Sequence, residues 1–346
     1  MDSTVDAVIA GALTDISADG MLSVTATDAT TASASATALN AAAGVAASGA
    51  VAVADTGGTA TAAILDGAIV GATNVTVDAN GDASQTATAG GFTGSVIAGA
   101  GVMIAETLAG QSAHAEASGT ITANALDLTA NADRNGAAEV LYVGISLVTG
   151  EVSLEAEQTA GDTTALVGAD ADLTISGHVN VSAVSDDRAD PDLVSLGVGV
   201  ATLGASASMA EIRSNTRAGI SGRVRADSAD VTATADKVAD ASGEVNNFGL
   251  VSLNGVALQG IADKLPGGDL PVPILPPFDT VTSAFITGTT EAYLGTGADI
   301  TTDGALTVQA SGENAADAIS TTLSVSLVAV SETGTEAVIE GCNSAP

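Results

Sequence analysis

Small apolar and polar residues alternate along most of this chain. In Ala32-Ser33-Ala34-Ser35-Ala36-Thr37-Ala38 every second position is alanine, and Ala205-Ser206-Ala207-Ser208 repeats the pattern. A period of two places one residue class on one face of a strand, whereas a helix needs a period near 3.6. Alanine is the best helix former. Against it, valine and threonine favour strands, and a glycine at about every ninth position penalises helices. The pattern predicts strands throughout.

One five-residue pattern, apolar–polar–apolar–polar–alanine, returns six times. Its copies are Leu22–Ala26, Val75–Ala79, Leu126–Ala130, Val179–Ala183, Ala229–Ala233 and Leu306–Ala310. The closing alanines stand at 26, 79, 130, 183, 233 and 310, in steps of 53, 51, 53, 50 and 77. Self-similarity at a fixed period signals a repeat architecture. The chain is therefore read as a single array over 1–346, with repeats at 1–53, 54–108, 109–160, 161–214, 215–288 and 289–334. A further repeat begins at 335–346.

Each repeat reads as two halves. The first passes a glycine turn, as in Ile64-Leu65-Asp66-Gly67, Leu166-Val167-Gly168 or Ile220-Ser221-Gly222, and enters the five-residue anchor. The second carries a more continuous apolar run, such as Ser95–Ala98, Val143–Val148, Leu196–Val200 or Leu323–Val328. Runs without alternation suggest strands covered on both faces or lining a tight core.

The expected fold is all-β, an elongated parallel β-solenoid (β-helix) of about six repeats of about 51 residues. A repeat of that length suits two coils of roughly 25 residues, so about fourteen coils at roughly 4.8 Å would form a rod of about 65 Å. The alternative is a stack of antiparallel β-hairpins, since Asp66-Gly67 and Asn80-Gly81 are good hairpin turn pairs. The 77-residue step contains a proline-rich insertion, 264–285, with five of the seven prolines between Leu265 and Phe278. Proline cannot donate to a strand ladder, so this segment is expected outside the stack. The chain starts and stops out of step with its repeat, which suggests a piece of a longer array or ends that pack on other copies.

Composition narrows the function classes. Hydrophobic residues form 46% of the chain, too many for a disordered acidic tail despite a formal charge of −33. With 8 Lys and Arg against 41 Asp and Glu, nucleic acid is not an expected partner. There is no Trp, and only two Tyr and four Phe, so stability is expected to come from backbone pairing in thin layers. Cys342 is the single cysteine, so no disulfide framework forms within the chain. Asp2 and Asp6 stand where a signal peptide carries basic residues, and none is expected. The uncharged stretches Ala83–Ala105 and Leu193–Ala210 are rich in Ser, Thr and Gly and keep the repeat register. They are read as buried strands rather than transmembrane segments.

The alternating anchors, the glycine turns and the Ala/Gly/Thr/Asp bias resemble the repeat regions of large secreted bacterial adhesins, of filamentous-adhesin and leukotoxin-like type. The resemblance spans nearly the whole chain except the insertion. It implies an extracellular or cell-surface structural protein, a rigid fibre or stalk segment used in adhesion or self-assembly. The implied partners are other copies, adjoining repeats, and a host or neighbouring-cell surface. No catalytic signature accompanies it, and the chain is not expected to be an enzyme.

Several residue groups are candidates for chemistry. Asp78, Asn80 and Asp82 alternate oxygen ligands as many calcium loops do, which makes Ca2+ the candidate cofactor and a calcium-stabilised surface-layer component one alternative. The other repeats do not reproduce this set, and Asp-Asn-Gly is also a good turn. A glycan-binding or glycan-cleaving β-helix is the other alternative. Its candidates are the clustered Arg213, Arg217, Arg223, Arg225 and Lys237, although local neutralisation of an acidic rod is the favoured reading of that cluster. His114 and His178 have no visible partner set. Stacked anchors put Thr25, Asp78, Thr129, Ser182, Thr232 and Gln309 in one outward column, too mixed for a threonine array that matches ice. The insertion, through Leu270, Val272, Ile274, Leu275 and Phe278, is the best candidate for binding a partner.

Overall fold

The structure, a computed structural model, describes residues 2–11, 14–254, 280–331 and 333–344. Every regular element among them is a strand. The first strands are long: β1 (Asp2–Ile9), β2 (Asp15–Ala42), β3 (Val45–Ile64), β4 (Ile69–Ser95) and β5 (Ala98–Ala117). The middle of the chain follows as β6 (Thr120–Ala123), β7 (Ala125–Ile145), β8 (Val148–Val167), β9 (Asp172–Ile175), β10 (His178–Ala189) and β11 (Asp192–Val198). Next come β12 (Ala201–Ile220), β13 (Arg223–Ala226), β14 (Ser228–Phe248) and β15 (Val251–Asn254). The last elements are β16 (Thr280–Leu294), β17 (Asp299–Thr302), β18 (Leu306–Val325), β19 (Val328–Ser331) and β20 (Thr333–Ser344).

These strands form two sheets. One contains nine strands, including β3, β5, β8, β12 and β16; the other contains eleven, including β2, β4, β7, β10, β14 and β18. All strand pairings among the described residues are parallel. Long parallel strands stacked in two sheets are compatible with a β-solenoid, and they exclude the antiparallel hairpins. Asn80-Gly81, expected as a turn, lies inside β4. Gly81 is buried there, and a Cβ at this position would overlap the Gln111 side chain from the facing sheet.

The anchors stack on one another as the repeat spacing demands. Leu22 pairs with Val75, Val75 with Leu126, Leu126 with Val179, Val179 with Ala229, and Ala229 with Leu306. In the four inner copies the inward positions are almost completely buried, as at Val77, Leu128, Val181 and Val231, each 0% exposed, whereas in the last copy Leu306 is 41% exposed. The two-coil expectation is corrected by the same registers. Each strand pairs with the strand one whole repeat away, and β3, for instance, meets β5 through Val45 opposite Ala98. The two halves of a repeat thus lie in different sheets, so one repeat makes one circuit. The expected rod of about fourteen coils becomes a broad slab. A 20-residue strand spans about 65 Å, and six rungs stack to only about 25–30 Å.

Alanine explains the thinness of the slab. Cα atoms of facing strands β2 and β3, and of β4 and β5, approach within 8 Å, closer than the roughly 10 Å of ordinary sheet stacking. One apolar core joins the anchors to Ala60, Ala62, Ala115, Val167, Ala218 and Ile220 near the glycine corners. A second lies toward the opposite rim, around Ala87, Ala89, Met103, Val140 and Tyr142. The corners at 65–68 and 168–171 turn the chain between sheets, with Gly67 at φ +82°. The apolar runs do not become doubly covered strands. They form the turns at the other rim, where Val96, Ile97, Leu147 and Leu250 are more than half exposed. The chain there leaves one sheet for the other, and among the described residues no third layer covers them.

Candidate functional site

Between the two apolar cores the interior is polar. Arg134 of β7 follows Thr30 and Ala83 in one inward column, and Asp187 of β10, Lys237 of β14 and Asn314 of β18 continue it. Arg134 and Asp187 are both 0% exposed, and Arg134 Nη1 lies 2.6 Å from Asp187 Oδ1. Arg134 also donates to the Gln111 carbonyl and, through Nη2, to Thr163 Oγ1 at 2.9 Å. The other Asp187 oxygen accepts from Ser214 Oγ at 2.6 Å. Lys237 Nζ donates to the Ser214 carbonyl at 2.7 Å, and burial pushes its amine below the usual lysine range. Gln111 Nε2 reaches Asp28 Oδ2 at 2.9 Å, which also accepts from Ser3 Oγ at 2.5 Å.

Two glycines make room for the buried cations. Gly161 stands at φ +145° and Gly288 at φ +112°, conformations that side chains strain to adopt. A Cβ at Gly161 would overlap the Gln111 carbonyl and crowd Arg134, and one at Gly288 would overlap the Ser214 carbonyl and crowd Lys237. Hydrogen bonds to backbone carbonyls and to Asp187 are what make such burial tolerable.

A second interior feature lies on β8, where Glu151, Glu155 and Glu157 are buried at 5%, 0% and 0% exposure. Burial raises Glu151 to about 7, although Ser195 Oγ donates to it. Burial likewise raises Glu157 to about 8, and its Oε2 accepts from the Asp190 amide at 2.9 Å. Glu155 is pushed well above the usual carboxyl range by burial and then by neighbouring carboxylates, with partial relief from the Asp192 amide. The Glu157 carboxyl fits because Gly136 faces it. Burial thus favours the protonated form of all three acids.

The outward columns carry the remaining candidates. Asp78, Asn80 and Asp82 lie at alternate positions of β4 and therefore stand side by side along one strand rather than around a loop. Asp78 accepts from Thr129 and Asn80, and Asn80 accepts from Asn131, so their partners are on the strand itself and the next rung. Among the described residues no group of three or more His, Cys, Asp or Glu side chains is arranged to hold a metal ion.

A different set escaped the sequence reading. Asp82, Asp133, Asp186, Asp236 and Glu313 pair rung by rung in a single outward column. Burial and then the neighbouring carboxylates raise Asp133 and Asp186. Its signal in the sequence is an acid three positions after five of the six anchor alanines, the exception being Ala29 after Ala26.

The basic cluster is dispersed into separate partnerships. Arg213 pairs with Glu211, Arg217 with Glu291 at 3.7 Å, and Arg223 with Asp172 and Asp299 at 3.9 and 3.2 Å. Arg225 pairs with Asp172 at 3.7 Å, while Lys237 belongs to the buried column. Arg225 also lines a shallow groove of about 480 Å3 with Thr122, Asn124, Thr174, Ser176 and Asp227.

His178 does have partners: its Nδ1 is 2.9 Å from Ser228 Oγ and its Nε2 is 3.6 Å from Asp230. All three lie on an open sheet face, whereas a catalytic triad orients its imidazole with a buried carboxylate. His114 is half-buried on β5, which lowers its basicity. Leu270, Val272, Ile274, Leu275 and Phe278 lie outside the described residues. No helix among the described residues is long and apolar enough to cross a membrane.

No protein-family model, curated protein or solved structure matches this chain. Any functional reading therefore rests on the chain's own chemistry.

Proposed function

We propose that this chain is a non-enzymatic, extracellular structural segment, a rigid β-solenoid of about six repeats of about 51 residues with one circuit each. Its work is to extend and present, as a fibre or stalk element in surface adhesion or self-assembly. The observation that carries this reading is the contrast between columns. Inward anchor positions repeat Val, Leu and Ala from rung to rung, while the outward column through Asp127 changes from Ser23 and Thr76 to Asn180, Asp230 and Thr307. Outside the one carboxylate column, repetition serves the stack rather than a repeated outward contact.

Single-molecule pulling tests the mechanical part: a stalk element unfolds at high force in steps of about 51 residues, and extension at low force in one long step defeats the reading. A glycan array and a polysaccharide-cleavage assay address the runner-up, a glycan-active β-helix. Retention or turnover of a sugar polymer would place the work in the groove around Arg225. The five-rung carboxylate column favours a second reading, in which divalent calcium screens the stack as a calcium-stabilised surface-layer component. A melting temperature unchanged by millimolar calcium rejects it.

A further inference from the structure

The rim where the chain passes from the eleven-stranded to the nine-stranded sheet carries an aliphatic side chain at five of its six turns, the first having Gly44 in that place. Ile97, Leu147, Val200, Leu250 and Leu327 stand at these turns with exposures from 45% to 83%. Hydrogen bonds tie the turns into a continuous ladder: Val200 N to Leu147 O at 2.9 Å, Leu250 N to Val200 O at 2.9 Å, and Leu327 N to Leu250 O at 3.1 Å. On one flank the ladder continues through Ile145, Val198, Phe248 and Val325, and on the other through Val148, Ala201, Val251 and Val328. The segments that build this rim, 39–54, 83–105, 140–150, 193–210, 245–254 and 318–331, contain no Asp, Glu, Lys, Arg or His. A chain with formal charge −33 thus keeps one edge free of charge and lined with aliphatic groups.

We infer that this rim is the surface through which a second copy of the chain packs, rim against rim, about a two-fold axis near Val200. Three arguments select that occupant. The aliphatic ridges recur at the strand spacing of roughly 4.8 Å over roughly 24 Å, and only a partner with the same spacing interdigitates along the whole length, as paired identical sheets do. The charge-free edge is also where two strongly acidic copies meet without bringing carboxylates together. The area suffices: a strip of about 24 Å by about 20 Å is about 500 Å2 per copy, or about 1,000 Å2 in total, at the lower bound for a specific interface. A lipid surface fits poorly. Membrane-facing edges carry Trp or Tyr and basic residues, and the rim segments hold no Trp and no Lys or Arg. The inference rests on the structural-segment reading and names its lateral contact.

The test is sedimentation velocity on the full chain, with Leu147→Glu/Leu250→Glu as the variant and far-UV circular dichroism as the check on folding. The wild type is expected to sediment at twice the 33.0 kDa of one chain, with a Kd in the micromolar range. The folded variant is expected to be monomeric. In a Cys342→Ser background, Val200→Cys should form a disulfide-linked dimer, because the central rung meets its own mate in either two-fold arrangement. Asp127→Cys, on the flat face, should not. A wild type that stays monomeric at about 100 μM, or a dimer that survives the double substitution, overturns the inference. So does a monomer that co-sediments with phosphatidylcholine vesicles, which would assign the rim to lipid. None of these outcomes touches the stalk reading, which fails separately if pulling shows no stepwise resistance.

Discussion

Arg134 and Asp187 are 53 residues apart in sequence and one rung apart in the stack, joined at 2.6 Å with neither side chain reaching solvent. A pair this deep adds little net stability over a well-packed apolar pair, because both ions lose their hydration. Its effect is on register. A slip of one residue would turn Arg134 outward and leave buried Asp187 without its guanidinium partner. We expect Arg134→Met to cost about 3–5 kcal/mol, since it strands a buried carboxylate. The double variant Arg134→Met/Asp187→Leu should recover most of that loss. Urea unfolding of the two single variants and the double variant measures both, and additive losses would show that the pair is not coupled.

The buried glutamates make stability depend on pH. Glu151 and Glu157 move from the ordinary carboxyl value of 4.5 to about 7 and about 8 in the folded chain. Raised folded values mean that the folded state holds protons the unfolded state has released. Their contribution is therefore complete below about pH 4.5 and is lost as pH rises through about 7 to 8. The melting temperature should fall from pH 5 to pH 8.5. Glu157→Gln should flatten this slope and raise stability at pH 8 by on the order of a few kcal/mol. A melting temperature that rises over the same interval would contradict the buried-acid account.

Gly161 should not tolerate a side chain. Alanine there meets both an unfavourable backbone at φ +145° and the Gln111 carbonyl. The expected loss is about 2–4 kcal/mol, and the Arg134 contact is disturbed with it. Gly150→Ala, where a Cβ finds only the Gly99 carbonyl at 3.9 Å, is the matched control and should be close to neutral. Equal losses at the two positions would show that neither the positive φ nor the crowded interior sets the cost.

The outward acid column is under repulsion. Asp133 lies directly between Asp82 and Asp186, and like charges on adjacent strands destabilise. Asp133→Asn should therefore stabilise the chain by about 1 kcal/mol at low salt, with the gain disappearing near 1 M salt as screening removes the repulsion. Thermal melts at the two ionic strengths decide this. A gain independent of salt would assign the effect to something other than charge.

What was legible in the sequence was the strand state, the face each residue takes, and the stacking of anchors. All three follow from a period of two repeated at a near-constant step: only one register buries every Val, Leu and Ala of the anchors together, and Leu22, Val75 and Leu126 fall into it. The acid column was legible in principle, because Asp82, Asp133, Asp186 and Asp236 keep the same offset from their anchors. The length of a circuit was not. One long strand in each sheet and two short coils carry the same alternation, so periodicity is blind to where the path bends. The bend is placed by turns such as Gly67 and by the rims, where the run Val143–Val148 leaves one sheet for the other instead of being covered.

The polar interior was equally hidden. An inward arginine or glutamate looks the same as an outward one until the facing sheet supplies its partner, and that partner sits at a separation no local pattern encodes. Arg134 finds the Gln111 carbonyl 23 residues back and Thr163 Oγ1 29 residues ahead. By itself the sequence determined a stack of in-register strands, because alternation and repeat spacing are one-dimensional properties. The tertiary structure decided that the stack is one circuit per repeat, with ionised and neutral polar groups sealed between its sheets and an aliphatic edge left open. Those outcomes depend on which residues face each other across a thin interior, and that is settled only when both sheets are in place.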